Sequence, residues 1–211
     1  MINQKTRILN EVWSAITHGI GVFLSIAALV LLILKAIGQA NMLALGAYLV
    51  YGITLILLYL CSTLFHSLYF TRAQRIFQIF DHCSINFLIA GTYTPYCLLT
   101  IKGSMGVMLL VSVWGLACFG MLYHILAKKR RQWIETSLYI VMGWLCLLGV
   151  KSLEANLGVD GVLLLFLGGV SFTIGALIYS IHGVKYLHVI WHLFVLLGTI
   201  LMYFSIYFYI D

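Results

Sequence analysis

Charge is scarce in this chain: 12 lysines and arginines and 6 aspartates and glutamates in 211 residues, 9% of the whole, against about a quarter in an average soluble domain. That scarcity excludes an ordinary soluble globule. Proline occurs once, so neither a collagen-like nor a proline-rich disordered chain is possible. The five cysteines, Cys61, Cys83, Cys97, Cys118 and Cys146, show no CxxC spacing and all lie in apolar runs, which excludes a disulfide scaffold and reads as small buried hydrophobes. What the chain has instead is 63% hydrophobic residues and a mean hydropathy of +1.07. These values describe an integral membrane protein.

A helical span needs roughly 20 apolar residues to cross the hydrocarbon. Long apolar runs fall at 14–34, 42–65, 76–101, 105–127, 134–150, 161–181 and 187–210. They predict an all-α, polytopic, seven-transmembrane-helix bundle forming a single domain over 1–211. The edges of 134–150 and 161–181 are blurred by Lys151, Glu154 and Asp160. A β-barrel is disfavoured, because barrels show short alternating segments and these runs are continuous and leucine-rich. Small residues such as Gly46, Gly52, Gly168, Ser171 and Gly175 are suited to close helix approach.

Basic residues near span ends are retained on the cytoplasmic side. Lys5, Arg7, Arg72, Arg75, Lys128, Lys129, Arg130, Arg131 and Lys185 fall at the N-terminus and in the even-numbered connections, whereas Lys35, Lys102 and Lys151 fall in the odd-numbered ones. This asymmetry predicts a cytoplasmic N-terminus, an outside C-terminus and multi-pass residence in the plasma (inner) membrane. The first span reads as a retained signal-anchor. The net charge of +6 serves topology and anionic lipid, not nucleic acid.

Ionisable groups inside a bilayer are costly, by about 2.5–3.5 kcal/mol at a helix centre, and therefore mark candidate sites. Glu11, Glu135, Glu154, Asp160 and Asp211 fall at ends or connections, which leaves Asp81 as the one carboxylate set against a span. His66, His188 and His192 belong to the same cytoplasmic half. His188 and His192 are i, i+4 and share a helix face, as do Ser62 and His66. Three imidazoles with a fourth position open form the ligand set of a catalytic zinc ion, which lowers the pKa of a bound water to about 7. Asp81 is placed to accept that water's proton, and Ser62 to donate to a developing oxyanion. The competing reading is structural, since histidines near span ends bond loops or headgroups. It is preferred for His18, His82, His124 and His182, which lack comparable partner spacing.

Ser62-Thr63-Leu64-Phe65-His66, Phe80-Asp81-His82-Cys83, Gly91-Thr92-Tyr93-Thr94-Pro95 and His188-Val189-Ile190-Trp191-His192 together resemble the hemolysin III family, the bacterial branch of the progestin and adipoQ receptor (PAQR) group. Glu11 with Thr17-His18-Gly19-Ile20-Gly21, and Met142-Gly143-Trp144, fit the same pattern. The likeness covers essentially the whole chain. It implies zinc on His66, His188 and His192, with Asp81 and Ser62 around the bound water, and kinship with the alkaline ceramidases, membrane hydrolases of lipid amides. Three functions then compete. The first is a zinc-dependent hydrolase of a membrane lipid amide or ester, serving lipid homeostasis. The second is a receptor or sensor with structural zinc, and the third is cytolysis through a pore.

Overall fold

The computed structural model describes residues 4–127, 129–181 and 184–210. Helix α1 spans Gln4–Gly38, α2 Met42–Ser67, α3 Gln74–Pro95, α4 Gly103–Leu126, α5 Gln132–Trp144, α6 Val150–Tyr179 and α7 Leu187–Tyr209, and no strand occurs among the described residues. Five helical stretches are long and apolar enough to cross a membrane. Helix α3 is not among them, because Gln74, Arg75, Gln78, Asp81, His82, Ser84 and Asn86 dilute its apolar content. Helices α5 and α6 count as one stretch, Gln132–Tyr179, because the chain between them stays helical.

The residues that blur the edges of 134–150 and 161–181, Lys151, Glu154 and Asp160, all lie within α6. A 3₁₀ segment, Leu145–Gly149, leads straight into α6, and the break comes later, at Gly158 with φ 66°. A residue without Cβ takes that left-handed conformation at little cost, so the turn falls there and not at Lys151 or Glu154. The run 76–101 is likewise divided. Pro95 has no N–H to give and its ring crowds the carbonyl one turn back, so α3 passes into a π-helical segment, Tyr96–Ile101.

Consecutive helices pack side by side and α1 also packs against α7, which closes the arrangement into a ring. The side chains turned outward are apolar: Phe23 is 77% exposed and Val111 65%, a surface suited to lipid. The inner faces are built on Tyr48, Tyr51, Tyr59, Leu109 and Met142. Their hydroxyls are largely served internally, as when Tyr59 pairs with Thr199 Oγ1 at 2.6 Å.

Close approach follows the small residues unevenly. A Cβ on Gly52, Gly168 or Gly175 would strike a neighbouring helix, but one on Gly46 would meet nothing within 4 Å. Ser171 is buried and donates to Phe194 O at 2.8 Å. All five cysteines are free, and Cys118 is exposed on its helix, not buried. Lys128 and His182 lie outside the described residues.

The ends of the helices sort the charges. Glu11, His66, Asp81, His188 and His192 all lie at the end of the bundle where α1 and α7 begin, together with Arg7, Arg72, Arg75, Arg130 and Arg131. At the opposite end Lys35 donates from Nζ to the free carbonyls of Tyr207, at 2.7 Å, and Ile210, the termini of α1 and α7 thus lying together.

Candidate metal centre

The i, i+4 spacing of His188 and His192 on α7 puts both rings on the face turned toward α2, where His66 stands in the last turn of the helix. One ligand atom from each of His66, His188 and His192 falls within 4.8 Å of the others. His66 and His192 are 4% and 1% exposed. The two Nε2 atoms of His66 and His188 approach to 3.1 Å, close to the edge of a tetrahedron with metal–nitrogen bonds of about 2.0–2.1 Å. Only a proton or a cation between them makes such an approach favourable.

The outer nitrogens fix which way the lone pairs point. His66 Nδ1 lies 2.7 Å from Glu11 Oε2, and a carboxylate accepts, so the ring proton sits on Nδ1 and Nε2 is left bare. His192 Nδ1 lies 3.2 Å from Ser14 O, a carbonyl that can only accept, so its Nε2 is bare as well. A ligating histidine held from behind by a carboxylate or backbone carbonyl is the usual support of a metal site. The three residues therefore fit a zinc ion by ligand type, number and spacing, and His66 and His192 by tautomer as well.

Asp81 and Ser62 line the cavity that His188 and His192 also line, which has a volume of about 110 Å³ and mostly apolar walls. The Asp81 side chain is 13% exposed, with His82 Nδ1 3.9 Å from Oδ2. Ser62 is 1% exposed. Its hydroxyl makes no hydrogen bond of good geometry, although it lies near enough to act on the Asp81 carboxyl. His66 does not line this cavity but reaches its edge through Nε2. The five residues singled out in the sequence thus converge at one end of the bundle.

Of the acids expected at ends or connections, Glu135 does lie in the first turn of α5, with Oε1 2.8 Å from His124 Nδ1, whereas Glu11 is a correction: it lies inside α1, buried, with its carboxylate on His66. Each is shielded because its helix turns a narrow polar face inward. His82, which also lines the cavity, and His124 pack against each other. Their rings stack at 4.9 Å, His82 Nδ1–H donates to Gln78 O at 2.9 Å, and His124 Nε2 accepts from Arg130 Nη1 at 2.9 Å.

His18, read from the sequence as structural, stacks its ring on that of His192 at 3.6 Å and lines the same cavity. The signal for α1 was present in its sequence: Glu11, Ser14, His18, Gly21 and Ser25 recur every three or four residues, and all are buried on one face.

A family model described as "Haemolysin-III related" matches residues 6–203. The chain belongs to this family. Among haemolysin-III relatives, "Hemolysin-3" of Bacillus cereus is 42% identical over 203 residues, covering 96% of this chain and 93% of that protein. The "Hemolysin-3 homolog" of Bacillus subtilis (strain 168) is 45% identical over 202 residues, covering 96% and 95%. A more distant relative, "Monocyte to macrophage differentiation factor" of Homo sapiens, is 28% identical over 167 residues, 76% of this chain and 69% of its own. The chain is an integral membrane protein of this family.

Proposed function

We propose that this protein crosses the membrane seven times from a cytoplasmic N-terminus, holds zinc on His66, His188 and His192, and hydrolyses an amide or ester bond of a membrane lipid. The observation that carries the reading is the convergence of three imidazoles, with the Nε2 atoms of His66 and His188 3.1 Å apart, beside the Asp81 carboxyl. Structural zinc sites are normally closed by a fourth protein ligand, whereas three ligands at the edge of a cavity leave a place for substrate.

Zinc bound there supplies Lewis acidity and an activated water. The chain's own residues account for the rest. The apolar cavity takes the hydrocarbon chain and keeps bulk water from the reacting carbonyl. Asp81 takes a proton as water adds to the carbonyl carbon, then returns it to the departing nitrogen or oxygen as the acyl bond breaks, leaving a fatty acid and an amine or alcohol. The Ser62 hydroxyl donates to the carbonyl oxygen as it gains charge.

The test combines metal content with lipid turnover in detergent-purified protein. The parent retains about one zinc per chain and releases fatty acid from a lipid amide or ester. His188→Ala/His192→Ala loses both, and Asp81→Ala keeps the metal but loses turnover. Removal of Ser62 as Ser62→Ala lowers turnover by about 10²-fold, the effect of losing one oxyanion donor. Zinc retained by the double histidine variant, or full turnover in Asp81→Ala, would sink the reading. The name of the Bacillus relatives speaks of lysis, so the same protein is placed in dye-loaded vesicles, where the hydrolase reading expects them to stay tight.

A further inference from the structure

We propose that His18 is a ligand-binding residue of the cavity, its ring N–H donating a hydrogen bond to the acyl carbonyl oxygen of an amide or ester lipid seated beside His192. The proposal rests on the reading of this cavity as a lipid site. It begins from an imbalance. His18 is 3% exposed, yet neither Nδ1 nor Nε2 makes a hydrogen bond of good geometry, although the backbone of His192 lies near enough to act on the ring. A neutral imidazole carries one donor and one acceptor, and a buried polar group left unpaired loses the full value of its hydration. Neighbouring histidines are better served: His66 by Glu11, His192 by Ser14 O, His124 by Glu135 and Arg130.

The ring is also held firmly. It stacks on His192 with planes 10° apart and meets the Tyr59 ring edge-on at 5.1 Å. Stacking fixes the ring against the plane of a residue that carries a bare Nε2, so a group bound by His18 lies next to the metal-ligand set. His18 is not one of the atoms that gather within 4.8 Å around that set. Two further buried hydroxyls that make no hydrogen bond of good geometry line the same cavity: Thr136 Oγ1, and Ser62 Oγ beside the Asp81 carboxyl. Such polar groups, gathered in a chamber whose walls are mostly apolar, describe a ligand that is mostly hydrocarbon with a small polar centre. A carbonyl flanked by an acyl chain has that chemistry, and its oxygen can accept from His18 and Ser62 together.

The experiment measures binding of radiolabelled hexadecanamide and of hexadecane to the purified full-length protein, in the parent, His18→Phe and His18→Gln, with metal content determined for each. Phenylalanine keeps the stacked ring and removes both polar atoms, and glutamine restores an N–H. The proposal expects His18→Phe to keep its metal, to bind hexadecanamide about tenfold more weakly and to bind hexadecane within twofold of the parent. His18→Gln recovers most of the amide affinity. Unchanged amide binding in His18→Phe overturns the proposal, as does equal weakening for both probes, which makes the ring packing alone. Loss of metal in His18→Phe overturns it too, making His18 part of the metal centre. Because binding is read without turnover, a parent that binds the amide through His18 but never cleaves it sinks the hydrolase reading and leaves this assignment standing.

Discussion

His66 donates its Nδ1–H to Glu11 Oε2 at 2.7 Å across the packed faces of α1 and α2, with both side chains buried. The contact joins residues 55 apart in sequence and decides the tautomer of one of the three clustered imidazoles. A carboxylate in this position raises the basicity of the ring and holds its plane, and losing such a partner typically costs about 10–100-fold in metal affinity. Glu11→Ala is therefore expected to release zinc at chelator concentrations that leave the parent loaded. Glu11→Gln, whose amide oxygen still accepts from Nδ1–H, falls between the two. Chelator competition followed by metal analysis checks this, and an unchanged affinity in Glu11→Ala would make the contact a helix clamp only.

The sequence made one half of this pair legible and hid the other. His188 and His192 announce themselves through i, i+4 spacing, and Ser62 with His66 repeats it, because a helix brings such residues to one face whatever its neighbours do. Asp81 stands out as the one carboxylate set against a span. Glu11 and His18 are seven apart on α1, the same face again, but Glu11 stands among polar residues near the chain start and looks solvated. Its burial depends on α1 continuing as a helix from Gln4 and on α2 lying alongside, which is tertiary information. The same holds for the turn between α5 and α6, where Gly158, not the nearby charges, sets the break.

A second buried pair has no part in the proposed chemistry and makes a separate prediction. His124 on α4 is held between Glu135 of α5, at 2.8 Å, and Arg130 of the intervening connection, at 2.9 Å. Only Thr136 and Met142 of α5 are themselves buried, so few apolar contacts hold that helix in place. A hydrogen bond to a charged group contributes about 1.5–3 kcal/mol. Glu135→Ala should lower the melting temperature in detergent clearly, and Arg130→Ala less, while metal content stays at the parent level. Loss of metal in Glu135→Ala would tie this pair to the metal centre.

The close approach of α6 to α7 gives a prediction with an internal control. A Cβ on Gly175 would lie 2.8 Å from the Trp191 ring and 2.9 Å from Phe194 Cβ. Trp191 immediately precedes His192, so the displaced ring would carry the start of α7 with it. Gly175→Ala is expected to lower both thermal stability and metal affinity. Gly46→Ala adds a methyl group where nothing lies within 4 Å, and alanine is the better helix former by about 1 kcal/mol. It should leave metal affinity untouched and stability equal or slightly higher. Thermal melting and chelator competition on the two variants separate the effects, and equal behaviour would mean the α6–α7 contact can relax.

The proposed topology follows from which end of the bundle carries the charge. Arg7, Arg72, Arg75, Arg130, Arg131 and Lys185 share an end with the histidines, whereas Lys35, Lys102 and Lys151 belong to the other. Basic residues resist translocation, so the metal centre should face the cytoplasm and the end of α7 should face outward. Alkaline phosphatase fused after residue 211 is then expected to be active and a green fluorescent protein fused there dark, with the reverse for fusions in the connection between α4 and α5. An active phosphatase in that connection would invert the molecule and place the candidate site at the outer face, where a lipid substrate would have to come from the outer leaflet.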